Sequence, residues 1–239
     1  MKQASFIMHK AGEAVVNYRM IEAGDRILIG LSGGKDSFVL SHIMHELQKK
    51  APVDFKLECV TFDPGFPEFG LEKIASYAAL QGWNFHSIKL DIAEILREKN
   101  FENAPCALCS RLRRGHLYRI MDELHCNKLA LGHHADDAII SFVMSYFRGH
   151  GLSTMGPNVP AQNGKRIIRP LILVPEEKII AFASGMNFPV AGICQYKKYL
   201  DDNGDCQNCP KTCSTCISST KCLVTFPRSV VMTEYSKSE

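Results

Sequence analysis

The 239-residue chain contains no run of about 18 consecutive apolar residues, so no part of it reads as a membrane-spanning helix. Its first 25 residues, MKQASFIMHKAGEAVVNYRMIEAGD, are interrupted by charge every few positions. They lack the apolar core and small-residue cleavage site of a secretory signal. The expectation is a cytoplasmic protein with no membrane partner. Internal repeats and low-complexity tracts are absent as well, which argues against solenoids and long disordered linkers. Charge of one sign is not in excess: 28 Lys and Arg against 25 Asp and Glu leave a net +3, which permits an anionic partner without demanding one. With 46% hydrophobic and 22% charged residues, the chain can bury a core of ordinary size. Its length suits one large domain, with or without a small appendage.

Cysteine is abundant. Ten cysteines in a chain without a secretory signal point to metal, iron–sulfur or redox chemistry in preference to disulfides. Cys59 and Cys126 sit in apolar or helical contexts and read as small buried residues. Cys106 and Cys109 form a Cys-x-x-Cys pair after Pro105, at the start of an expected helix, where the helix terminus favours thiolate. The spacing alone does not choose between zinc, a cluster and a redox pair. Cys194 stands alone. Cys206, Cys209, Cys213 and Cys216 crowd together with Cys222 close behind, in a stretch with little apolar periodicity and many turn residues. That stretch needs a crosslink or a metal to hold a fold, and structural zinc is the favoured ligand, ahead of a second cluster or free thiols.

Upstream of the tail the rhythm is strand then helix. RILIGL, FKLECVTF, the segment 84–89, KLALGHH and RIIRPL read as strands. DSFVLSHIMHELQKK, the segment 69–81, SRLRRGHLYRIMDELH, ADDAIISFVMSYF and PEEKIIAFASGM read as helices, with Pro175 at the first turn of the last and Gly115 weakening the first turns of the third. Alternation of this kind implies right-handed βαβ units and a doubly wound, mostly parallel α/β sheet of Rossmann-like type. Ligands in such folds sit at the carboxyl ends of the strands. The loops at 32–37, 63–67 and 132–137 all follow strands, so they are expected to meet at one sheet edge.

The loop Ser32-Gly33-Gly34-Lys35-Asp36-Ser37 joins the first strand to its helix. Two glycines allow close approach of the backbone to a ligand, and the first N–H groups of the helix have no partners within it. Lys35 adds a cation, and Ser32 and Ser37 add hydroxyls. Phosphate binding is the preferred reading over a plain tight turn. The loop has neither the G-x-x-x-x-G-K-[ST] spacing nor G-x-G-x-x-G.

This S-G-G-K-D-S loop after a strand resembles the signature of the PP-loop ATP pyrophosphatases. MIEAGDRILIGLSGGKDS, CALCSRLRRG, LALGHHADD and RIIRPL occur in the order found in the TtcA-type tRNA 2-thiocytidine synthetases, a resemblance running over roughly residues 10 to 200. It implies the adenine nucleotide alpha-hydrolase-like fold, preceded by a helical lead-in at 1–24. The ATP-binding domain would occupy 25–193, followed by a cysteine-rich segment at 194–225 and a flexible tail at 226–239. It further implies adenylation of a substrate carbonyl by ATP with Mg²⁺, release of pyrophosphate, and displacement of AMP by sulfur.

On this resemblance Leu31, Ser32, Gly33, Gly34, Lys35, Asp36, Ser37, Phe62, Asp63, Gly132, His133 and Asp137 form the nucleotide site. Asp36 is a Mg²⁺ candidate, and Asp137 either holds Mg²⁺ or starts a helix. Cys106, Cys109 and Cys194 resemble a three-cysteine [4Fe-4S] site whose fourth iron accepts sulfur, with Cys206 or a later cysteine as the alternative third ligand. Arg111, Arg113 and Arg114 would hold RNA or triphosphate phosphates, against the plainer reading of a solvated helix face. The implied partners are tRNA, a sulfur donor (a cysteine desulfurase or sulfide) and a second copy in a homodimer. The cysteine tail departs from the family pattern. Three rival readings remain: a persulfide thiolase without a cluster, action on a small molecule, and a nucleotide- and zinc-binding module without turnover.

Overall fold

The structure, a computed structural model, describes residues 2–63, 69–90, 105–147 and 152–190; for 2, 105–112 and 114 it describes the backbone alone. Helix α1 (Lys2–Asn17) precedes strand β1 (Arg26–Gly30), helix α2 (Lys35–Lys50), strand β2 (Lys56–Asp63), helix α3 (Leu71–Leu80) and strand β3 (Phe85–Lys89). Helix α4 (Pro105–Glu123), strand β4 (Lys128–Ala130), helix α5 (Ala135–Phe147), strand β5 (Asn158–Pro160), strand β6 (Arg166–Ile168) and helix α6 (Glu176–Ala183) follow. The sheet order is β3-β2-β1-β4-β6-β5, parallel throughout except for the β5–β6 pair.

The sheet is buried on both faces, and alternation along the strands sorts the side chains. Ile27 and Ile29 of β1 join Leu57 and Cys59 of β2 in a core with Phe38, Leu40 and Met44 of α2, Ile7 of α1, Ile74 of α3 and Ile179 of α6. Leu28, Val60, Phe62 and Leu129 point the other way, onto Ile120 and Met121 of α4. This two-sided burial is why the strands read as near-continuous apolar runs. The alternation of strand and helix expected from the sequence is present. Helix α1 is part of the main core, with Ile7, Ala11 and Ala14 fully buried.

Three local features differ from the sequence reading. Strand β5 carries no apolar alternation and ends in Pro160, a residue that sheets confine to their edges, and edge is where β5 lies. Pro175 is the N-cap of α6 in extended conformation, one position before the first turn. Gly115 sits in the middle of α4, not in its first turns, because the helix begins at Pro105. Among the described residues no helix is long and apolar enough to cross a membrane. Cys194, Cys206, Cys209, Cys213, Cys216 and Cys222 lie outside the described residues, as does the proposed tail.

Candidate active site at the carboxyl edge of the sheet

Leu31 leaves β1 with its N–H still bonded to the Val60 carbonyl, 2.8 Å away, and its own carbonyl accepts from Thr61 Oγ1 at 2.8 Å. Both bonds fix where the chain departs the sheet. Gly33 then takes φ +84°, a left-handed conformation open to glycine at little expense. Gly34 is the N-cap of α2, with no side chain to satisfy the helix's first donors. Ser37 Oγ turns back to donate to the Gly34 carbonyl at 2.8 Å, and Ser32 Oγ lies 3.3 Å from Ser37 Oγ. The two serines therefore brace the turn. The N–H groups of Lys35 and Asp36, in the first helical turn, have no preceding turn to bond to and face outward with the positive end of the helix dipole.

Lys35 Nζ lies 2.9 Å from Glu176 Oε1 and 3.0 Å from Asp36 Oδ1. Burial alone would push the ammonium's pKa down; the Glu176 and Asp36 carboxylates outweigh it, and the net shift is upward. Lys35 is a permanent cation. Glu176 opens α6, and its N–H donates to Asp136 Oδ2 at 2.7 Å, while Ala135 N–H donates to the Val174 carbonyl. The N-termini of α2, α5 and α6 are thus joined at one place.

Gly132 completes the junction. A β-carbon there would stand 3.1 Å from the carbonyl carbon and oxygen of Asp36 and 3.3 Å from Ser37 N. The β4–α5 loop packs backbone to backbone against the glycine loop, so two of the three loops expected to meet, 32–37 and 132–137, are in contact; of the third, 63–67, residues 64–67 lie outside the described residues. His133 Nδ1 accepts from Arg169 Nε at 3.3 Å. Burial first, and then the Arg169 charge, lower the pKa of His133. Its ring is a neutral hydrogen-bonding group. Asp137, 6% exposed, accepts the His134 N–H at 3.0 Å, the backward half of a capping box that starts α5.

The remaining expected residues are placed as follows. Asp63 ends β2, and its carbonyl accepts from Leu90 N–H. Phe62 is buried in the core beneath α4. Cys106 and Cys109 occupy the first turn of α4, three positions apart and so on one helix face. As a crossover helix between parallel strands, α4 starts at the same sheet edge as the glycine loop. Arg113 is partly buried on α4; the side chains of Arg111 and Arg114 are outside the description. Among the described residues no three His, Cys, Asp or Glu side chains cluster as a metal site. Cys59 and Cys126 are buried free thiols, raised by burial to about 12 and about 11.

Sequence reasoning missed Glu176, Thr61 and Arg169. Glu176 reads as a dipole-compatible acid in a first turn, and its partner Lys35 is 141 residues away. Arg169 stood within the RIIRPL motif, but only the fold brings it to His133.

A family model described as the PP-loop domain matches residues 6–189. The chain belongs to the PP-loop family. A tRNA-cytidine(32) 2-sulfurtransferase of Geotalea uraniireducens (strain Rf4) is 41% identical over 190 residues, covering 79% of this chain and 75% of that one. A protein of the same name from Geobacter sulfurreducens is 44% identical over 186 residues, covering 77% and 72%. Within the family the chain is therefore of the TtcA type. Among solved structures, the U34-tRNA thiolase NcsA from Methanococcus maripaludis with its [4Fe-4S] cluster superposes with a TM-score of 0.64. It is 23% identical and covers 80% of this chain and 68% of that one; the likeness is one of fold.

Proposed function

We propose that the chain is an ATP-dependent tRNA sulfurtransferase acting in the cytoplasm. ATP binds at the junction of α2, α5 and α6. The adenylyl group passes to the 2-carbonyl oxygen of a tRNA cytidine, position 32 by likeness to the relatives' names, with pyrophosphate leaving. Sulfur then replaces the activated oxygen, and AMP leaves. The observation that carries this reading is the start of α2, where donors without helical partners and the Lys35 cation converge under a backbone-tight glycine. Adenylation needs a place for the leaving phosphates, and these donors support that reading.

The donors fit their ligands unequally. Lys35 and the first N–H groups of α2 suit phosphate oxygens, and neutral His133 suits a hydrogen bond that needs no charge. Asp36 and Asp137 are the carboxylates that would take Mg²⁺, and each already has one partner, Lys35 Nζ on Asp36 and the His134 N–H on Asp137. Cys106 and Cys109, together with Cys194, suit a [4Fe-4S] cluster, which when bound supplies an open coordination position for sulfide. Arg111, Arg113 and Arg114 on α4 would neutralise tRNA phosphates beside it. The four cysteines from Cys206 to Cys216 would hold zinc in a segment at 194–225, apart from the ATP-binding domain at 25–193. A cysteine desulfurase or free sulfide supplies the sulfur, and the working form is a homodimer.

The test is an anaerobic reaction of purified protein with tRNA, Mg-ATP and sulfide, with nucleosides analysed by mass spectrometry and iron measured in parallel. The reading expects 2-thiocytidine, tRNA-dependent pyrophosphate, and about four irons per chain that are lost in Cys106→Ala. Thiolation by iron-free protein bearing a persulfide would overturn the cluster. Absence of tRNA-dependent pyrophosphate would overturn the activity.

A further inference from the structure

Helix α5 carries a stripe of large apolar side chains on its outer surface. Ile139 is 62% exposed, Phe142 and Val143 are each 43% exposed, and Tyr146 is 66% exposed. At spacings of three, one and three they fall within one helical face, the pattern that ordinarily turns towards a core. Here the only buried residue of the helix is Asp137, at its N-terminus. Leu152, 66% exposed, lies beside the helix, since its neighbour Ser153 is bonded to Ser145 Oγ and Thr154 Oγ1 to the Ala138 carbonyl.

Three observations identify what covers this face. The helix has no Lys or Arg anywhere along it, so a phosphate backbone finds no counter-charge there. The five side chains expose roughly 600 Å², so two such faces together would bury about 1,200 Å², the lower bound of a stable standard interface. Finally, the spacing is palindromic about the midpoint between Phe142 and Val143. An antiparallel copy of the same helix sets Ile139 against Tyr146 and Phe142 against Val143, aromatic on aliphatic at every step. That is the self-complementarity a two-fold interface requires.

We propose that α5 is the centre of an isologous homodimer interface, in which α5 of one protomer packs antiparallel on α5 of its partner. The inference gives the homodimer of the proposed function a surface, and it stands independently of the thiolation chemistry. The interface begins one turn from Asp136 and Asp137, so dimer formation would brace the end of α5 that meets the glycine loop.

The experiment is sedimentation velocity of the full chain, purified anaerobically, without tRNA or ATP. The expected mass is twice the 26.7 kDa of one chain. Ile139→Glu and Tyr146→Glu, at exposed positions where folding is not at risk, should each raise the dimer dissociation constant at least about thirtyfold. The double variant Ile139→Lys with Tyr146→Glu should regain the dimer, because antiparallel packing places each lysine against the partner's glutamate, whereas within one helix they stand about 10 Å apart along the axis. A monomeric wild-type chain overturns the proposal, whether the face is then covered by the chain's own residues or by another molecule. It is equally overturned by a dimer indifferent to the single charges, by a double variant that stays monomeric, or by single variants that lose tRNA binding at unchanged mass. Since no nucleotide chemistry enters the readout, a failed thiolation assay leaves this result untouched.

Discussion

Lys35 holds its charge between two carboxylates, and its role follows from the place of that charge. Replacing it with methionine keeps the stem and removes the cation. The expected result is a fall of about 10²–10³ in pyrophosphate-forming kcat/KM, the range found when one donor to developing charge is lost. A pyrophosphate assay with tRNA and ATP reads it. Cys59 and Cys126 give the opposite kind of prediction. Buried, with thiols pushed up to about 12 and about 11, they should remain unmodified when the native protein is treated with iodoacetamide at pH 8, and react once it is unfolded. Mass mapping of the labelled cysteines decides. At this scale the sequence was informative wherever chemistry and neighbours are local: Ser32 to Ser37 form a contiguous loop, and Cys59 sits in an apolar strand. It was silent on Glu176, whose contact with Lys35 spans 141 residues and leaves no local trace.

At the scale of elements, the site is an agreement between helix starts. Gly132 shows how tight that agreement is. The added methyl of Gly132→Ala meets the backbone of Asp36 and Ser37, atoms that cannot rotate aside, so the β4–α5 loop and the glycine loop must part. The expected outcome is a loss of about 1–3 kcal/mol in denaturant unfolding, together with weaker ATP binding by calorimetry. Unchanged values for both would show that the loops are not packed as described. The strong elements were readable because burial on both sheet faces makes β1 and β2 apolar throughout and gives α2 a clear stripe. Strand β5 was not, because three residues paired antiparallel at an edge have neither alternation nor length to mark them. The composition of α5 was read correctly as helical, but an apolar stripe looks the same in sequence whether it faces a core or, as on α5, solvent.

The whole molecule is polarised: the candidate site lies at the carboxyl edge of the sheet, and a buried ion pair at the other. There Lys128 and Asp25, 3% and 4% exposed, pair at 2.7 Å, with Asn127 also bonded to Asp25. Where α2 meets α3, His42 is held by a 2.7 Å contact with Tyr77 and packed beside Trp83 and Phe188. Burial, and then the neighbouring His45, lower its pKa from 6.5 to about 4. The unfolded chain therefore takes up the proton first. The contribution of His42 to stability is complete above pH 6.5 and is lost as pH falls towards 4, by at most ~1.4 kcal/mol per pH unit. Urea unfolding of wild type and His42→Gln across that range should show a flatter dependence in the variant. A parallel pair of curves would place the titration elsewhere.

The central claim is that this sheet edge activates a substrate carbonyl by adenylation, and an isotope tests it most directly. The tRNA is prepared with ¹⁸O at the 2-carbonyl of the target cytidine and reacted anaerobically with Mg-ATP and sulfide. Adenylation transfers that oxygen to phosphorus, so the account predicts ¹⁸O in the phosphate of the released AMP, one atom per thiolated nucleoside. AMP without the label, formed at the same rate as thiolated tRNA, would contradict it.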